Sequence, residues 1–236
     1  MRALVTRPRE DSEAVARALE SRGITVMIEP LLEIQPVDGV SVDTGTAQGI
    51  LVTSANGIRA LARLSPDRTL PVWAVGDASA RVARELGYVR VESAGGDVDT
   101  LAALVMARVD PAEGELLHAA GTVNAGDLGA ALAAAGYRVR RQVLYRAVTA
   151  TGISSDLRHA LEQGTIDLAL FFSPRTARTF VRLVTAADLK GSLAAVAAYG
   201  LSANVTAELT LLSWRALRQA AEPTQAALLA ALDHDL

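Results

Sequence analysis

Residues 1–28 read MRALVTRPREDSEAVARALESRGITVMI, and residues 115–142 read ELLHAAGTVNAGDLGAALAAAGYRVRRQ. Both stretches follow one plan. An apolar run (Ala3–Thr6; Leu116–His118) predicts a strand. A polar loop follows, containing Gly121 in the second copy. Next comes an alanine- and leucine-rich segment with helical spacing, about Ser12–Ser21 and about Asp127–Ala135. A glycine (Gly23; Gly136) then supplies the left-handed cap that turns the chain into another strand, Ile24–Ile28 and Tyr137–Arg141.

Working outward, three more pairs recur in the same order. Ile50–Asn56 matches Leu168–Pro174, each an apolar run that ends in small hydroxyl residues and opens a helix. Val72–Gly76 matches Val196–Gly200, and Gly96–Val105 matches Glu222–Leu232, where Leu101, Leu104 and Val105 keep helical spacing. Apolar strands that alternate with helices form parallel sheets covered on both faces through right-handed crossovers. The expected fold class is therefore α/β, with two small doubly wound parallel-sheet domains. Two divisions of the chain fit these residues. One boundary near Pro111 gives one domain per repeat. Alternatively, Leu31–Pro36 and Val143–Val148 pair as a connector, and the first domain is interrupted by the second.

Composition narrows the chemistry. The chain has 236 residues, is 50% hydrophobic and contains no cysteine, which excludes disulfides, thiolate metal sites and a thiol nucleophile. Its three histidines, His118, His159 and His234, are too scattered to suggest a metal site. Lys+Arg 23 against Asp+Glu 26 gives a net charge of −3, so no global positive field draws in nucleic acid or an anionic membrane. The opening Met1–Pro8 lacks the apolar region of a signal peptide, and no stretch is long enough to span a bilayer. A cytoplasmic protein with no nucleic-acid or membrane partner is expected.

Ligands of open parallel sheets bind beyond the carboxyl ends of the strands. The loops there are Thr6-Arg7-Pro8, Thr53-Ser54-Ala55-Asn56, Gly76–Ser79, Gly121–Asn124, Ser173-Pro174-Arg175 and Gly200-Leu201-Ser202. Most lead into helices, whose free N–H groups and positive dipole ends favour anions. One such loop reads as an ordinary helix cap. Six on equivalent edges point to a ligand cleft.

No Gly-x-Gly-x-x-Gly, P-loop, Gly-x-Ser-x-Gly or His-Glu-x-x-His motif is present, and nothing argues for a nucleotide cofactor. Ser54 and Ser173 lack a histidine partner and do not read as nucleophiles. Asp77 and Asp97 read as helix caps. Tyr145 reads either as a half-buried strand tyrosine with its hydroxyl in water or as a proton donor beside the cleft. Arg7, Arg146 and Arg175 lie near the same edges, as surface charges or carboxylate ligands.

Taken together, Leu4–Pro8, Leu51–Asn56, Val75-Gly76 with Ser79-Ala80, Val143–Arg146, Phe171–Pro174 and the ending Pro223-Thr224 with its leucine-rich helix resemble the uroporphyrinogen-III synthase family over essentially the whole chain. The resemblance implies two α/β domains joined by a two-stranded connector. Residues 1–35 and 149–236 would form one domain and 38–142 the other, with connector strands at about 31–37 and 143–148. It implies a cofactor-free, metal-free hydro-lyase, expected as a monomer. The reaction closes the linear tetrapyrrole hydroxymethylbilane into uroporphyrinogen III, losing water and inverting the last pyrrole ring.

Loss of the hydroxyl leaves an azafulvene-like cation that can cyclise unaided to the wrong isomer, so positioning would be the protein's main task. Tyr145 matches the family's favoured proton donor, helped by closure of the cleft. Substrate carboxylates would meet Thr6, Arg7, Pro8, Thr53, Ser54, Ala55, Asn56, Ser79, Gly121, Ser173, Pro174, Arg175, Ser202 and Ala203. The chain departs from the family at Ala119-Ala120, where an arginine often precedes the glycine. It departs again at Ala203, where threonine is usual and Ser202 stands adjacent. Two other classes compete with the enzyme: a non-catalytic bilobal small-anion-binding or sensor protein, and a structural module pairing through its alanine-rich helices.

Overall fold

The computed structural model describes residues 1–123 and 126–233. Asn124 of the Gly121 loop and His234 lie outside the described residues. The chain folds into two compact units, one comprising Met1–Glu33 and Val148–Leu236, the other Ile34–Ala147. Each is built on its own sheet.

The first unit holds β1 (Arg2–Val5), α1 (Arg9–Glu20) and β2 (Thr25–Ile28), then α6 to α9 and β9 to β11 from the second half of the chain. These are α6 (Ser155–Glu162), β9 (Leu168–Phe171), α7 (Pro174–Ala186), β10 (Ala197–Gly200), α8 (Ala203–Leu209), β11 (Ala216–Gln219) and α9 (Gln225–Asp233). The sheet order is β11-β10-β9-β1-β2, with every neighbouring pair parallel. Alternation sends Leu4, Ala169, Phe171 and Ala198 to one face, and Ala3, Val5, Leu168, Leu170 and Tyr199 to the other. Both faces are buried under helices, so these strands are apolar throughout. On the first face Phe171, Phe180 and Trp214 pack as a ring cluster, with Phe171–Phe180 centroids 5.1 Å apart at 63°. Each such ring contributes roughly 2–3 kcal/mol through burial.

The second unit contains β3 (Leu32–Pro36), β4 (Ala47–Val52), α2 (Ala55–Leu64), β5 (Val72–Ala74), α3 (Asp77–Glu85), β6 (Val91–Ser93), α4 (Val98–Arg108), β7 (Glu115–Gly121), α5 (Leu128–Ala134) and β8 (Arg138–Thr149). The sheet order is β3-β8-β7-β4-β5-β6, parallel from β8 to β6, while β3 runs antiparallel to β8. One face of this sheet packs Ile50, Val52, Ala74, Leu117 and Ala119 against α2 and α3; the other packs Leu51, Trp73 and Leu116 against α4 and α5. The chain leaves the first unit along β3 and returns along β8. Two glycines expected to cap helices do so, with φ +74° at Gly23 and +87° at Gly136.

Several boundaries differ from the sequence reading. Helix α1 begins at Arg9 rather than near Ser12, because Pro8 carries the cap position and the N–H of Asp11 already bonds its carbonyl. The strand expected at Tyr137–Arg141 and the connector segment after it are a single element, β8. Asp97 caps α4 in a reciprocal box with Thr100. Asp77 does not cap: Gly76 holds that position and Asp77 is the first helical residue of α3, where its charge meets the positive dipole end.

Candidate active site

At the carboxyl edge of the second unit's sheet, β4 and β7 end side by side, with Leu51 beside His118 and Val52 beside Ala119. Ser54 follows β4 and caps α2, accepting the Gly57 N–H at 3.4 Å. The same oxygen lies 2.8 Å from the Tyr145 hydroxyl. Tyr145 is half-buried, as a strand tyrosine would be, but its hydroxyl is engaged by Ser54 rather than by solvent alone.

Tyr145 reaches that point through an irregularity of the sheet. Strands β7 and β8 pair in step from Glu115–Arg138 to Ala120–Val143, then slip so that Gly121 faces Tyr145. The extra residue, Leu144, is buried in the core beneath α2 and α3. A bulge of this kind re-aims the side chains beyond it. The phenol ring lies against the bare Cα of Gly121, and the Thr122 N–H donates to the Tyr145 carbonyl at 3.0 Å. The Arg141 guanidinium donates to the Gly121 carbonyl. Ala119 and Ala120 are buried in β7, and the guanidinium at this edge, that of Arg141, comes from β8.

In the sequence His118 is one of three scattered histidines with no metal-site spacing. In the fold its ring is buried on the sheet face opposite Ala119, with Nε2 3.3 Å from Thr53 Oγ1. Burial, assisted by the Arg141 charge, pushes its pKa down to about 4, so the imidazole is neutral at physiological pH. Only its place in register with Leu51, at the end of a buried strand, could have revealed this.

The remaining candidates divide by what their side chains already do. In the second unit, Ala55 opens α2, the Asn56 amide oxygen accepts from Arg59 at 3.2 Å, and Ser79 is buried in α3. Arg146 is exposed and donates to Gln35 at 3.1 Å. In the first unit, Thr6 is fully buried and its hydroxyl donates to the Leu170 carbonyl, so that oxygen serves the sheet. The Arg7 guanidinium sits 4.5 Å over the Phe172 ring, 3.6 Å from Asp11 and 3.4 Å from Gln225. Ser173 caps α7 through the Thr176 N–H, Pro174 occupies the first helical position, where its fixed φ suits the helix, and Arg175 is exposed. Ser202 begins α8 without a side-chain cap bond, and Ala203 is exposed. Among the described residues no group of three or more His, Asp or Glu could hold a metal ion, and no helix is long and apolar enough to cross a membrane.

The family model for uroporphyrinogen-III synthase HemD matches residues 13–230. The chain belongs to the uroporphyrinogen-III synthase family. Members of this family are cyclising lyases of tetrapyrrole biosynthesis that act on a small tetrapyrrole. A uroporphyrinogen-III synthase from Chlorobaculum parvum is 29% identical over 204 residues, covering 80% of this chain and 82% of the relative. The uroporphyrinogen-III synthetase structure from Helicobacter pylori superposes with a TM-score of 0.63 at 14% identity, covering 100% of both chains. A mutant uroporphyrinogen-III synthase from Thermus thermophilus gives 0.53 at 18% identity, covering 100% of this chain and 97% of that one. Both structures share the two-sheet α/β fold with this synthase-family chain.

Proposed function

We propose that this chain is a uroporphyrinogen-III synthase that closes hydroxymethylbilane at the edge where Tyr145 meets Ser54, acting in the cytoplasm as a monomer without metal, organic cofactor, nucleic acid or membrane partner. In this reading the two units are its domains, residues 1–35 with 149–236 and residues 38–142, joined by the strands about 31–37 and 143–148. The family match favours this enzyme over the anion-binding and structural alternatives.

The observation that carries the proposed site is the 2.8 Å approach of Tyr145 Oη to Ser54 Oγ. When Ser54 donates to Tyr145, the phenol proton is left to point toward substrate, where a positioned general acid can deliver it. Tyr145 gives its proton to the hydroxymethyl oxygen as the C–O bond breaks, so water departs and an azafulvene-like cation remains. The substituted carbon of the last ring attacks this cation to give a spiro intermediate, and rearrangement inverts that ring. The proton lost when the ring regains aromaticity restores the phenol. Preorganisation of the attack geometry, rather than strong acid–base chemistry, sets the isomer.

The substrate's carboxylates call for anion-binding groups on a protein of net charge −3. The helix N-termini at Ser54 and Ser173, each on a helix of ten or more residues, supply N–H donors and positive dipole ends. Arg7, Arg146 and Arg175 add local positive charge. Incubation of the purified protein with freshly generated hydroxymethylbilane tests the reading: type III product supports it, and type I product alone overturns it.

A further inference from the structure

The slip between β7 and β8 places Gly121 directly under the ring of Tyr145. A Cβ built on Gly121 would stand 2.7 Å from Tyr145 Cζ, 2.8 Å from Cε2 and 3.0 Å from Oη. Ordinary carbon–carbon contact is about 3.5–4.0 Å, so any side chain at 121 pushes the phenol away by roughly 1 Å. What it pushes is the reactive end of a side chain, not the backbone. Gly121 is also outside the left-handed φ region. Glycine is therefore not required there by backbone conformation; its want of a side chain is what leaves the space for the phenol.

We propose that Gly121 is a positioning residue for Tyr145, setting the phenol oxygen against Ser54 and at the height from which it reaches the departing hydroxyl. The proposal rests on the reading of Tyr145 as proton donor. Arg141 is the second part of the device. Its guanidinium holds the Gly121 carbonyl, and the next N–H, that of Thr122, holds the Tyr145 carbonyl, so the seat and the ring are tied to the same turn.

The test is a double-mutant cycle of Gly121→Ala with Tyr145→Phe, assayed with hydroxymethylbilane and by thermal unfolding. Gly121→Ala lowers kcat about tenfold or more, since a displacement near 1 Å at a reacting group costs up to about 10²-fold, with KM changed by less than about twofold. In the Tyr145→Phe background, where no proton remains to be positioned, the same substitution costs less than about twofold. Equal losses in both backgrounds, or an unchanged kcat in Gly121→Ala, overturn the proposal. Tyr145→Phe at full activity instead overturns the proton-donor reading on which it rests. Should Gly121→Ala fail to fold, Arg141→Ala takes its place: a fall in kcat at constant KM that disappears in Tyr145→Phe supports the device, and a rise in KM alone contradicts it.

Discussion

Ser54 Oγ and Tyr145 Oη, 91 residues apart in the chain, lie 2.8 Å from each other at the carboxyl edge of one sheet. Neither hydroxyl has a charged partner among the contacts described; Ser54 Oγ holds the phenol oxygen and accepts the Gly57 N–H at the start of α2.

Removing the phenol oxygen should therefore remove the proton donor and little else. Tyr145→Phe keeps the ring against Gly121 and in the core contact beneath α2. Turnover should fall about 10²-fold, the lower end for loss of a general acid, while the melting temperature stays within a few degrees. Steady-state kinetics beside calorimetry measures both, and unchanged turnover would return Tyr145 to a structural role.

Ser54→Ala deletes both the cap of α2 and the partner of Tyr145. Denaturant unfolding should show a loss of about 1 kcal/mol, the usual value of a serine cap. Activity should fall as well, though less than in Tyr145→Phe. Ser154 caps α6 through the Leu157 N–H at 3.1 Å and stands outside the candidate site. Ser154→Ala should lose comparable stability and keep full turnover, which separates the cap from the chemistry.

Gly57 sits where α2 crosses β7, and a Cβ there would come within 2.3 Å of the Ala119 carbonyl oxygen. Backbone cannot retreat as a ring can. Gly57→Ala should destabilise the fold by about 1–3 kcal/mol, the range for overpacking. Gly152→Ala, where nothing lies within 4 Å of the added carbon, should change stability by less than about 0.5 kcal/mol. Equal effects at the two positions would contradict the packing described for α2.

His118 should leave a signature in the pH dependence of stability. Its folded pKa of about 4 lies below the ordinary 6.5, chiefly through burial. The unfolded chain therefore binds the proton first as pH falls through 6.5, and the folded state loses ground until pH reaches about 4, by roughly 3 kcal/mol in all. The lowered carboxylates Asp67, Asp97, Glu115 and Glu208 shed their contributions at lower pH. Urea titrations between pH 4 and 7 should show a slope in the wild type that flattens in His118→Gln.

The repeat was legible because it is written in local terms. Gly23 and Gly136 announce left-handed caps, and the apolar runs at Ile50–Val52 and Leu168–Phe171 announce strands buried on both faces. Ser54 and Ser173 were legible as hydroxyl residues at the point where an apolar run opens a helix. What escaped depends on partners far along the chain. Thr6 reads as a loop hydroxyl until the fold sets it on the Leu170 carbonyl, 164 residues away. His118 reads as one scattered histidine until β4 and β7 align it with Thr53. The seat of Tyr145 depends on a one-residue slip between β7 and β8, and a slip of register has no signature in either strand alone.

In the proposed reaction this chain directs ring closure of hydroxymethylbilane with inversion of the last pyrrole. The isomer ratio of the product, read chromatographically after oxidation to the porphyrin, tests it most directly. Uroporphyrinogen III in excess over the spontaneous type I isomer, rising with protein concentration and formed about 10²-fold more slowly with Tyr145→Phe, is the predicted result. Type I alone at every protein concentration would contradict it.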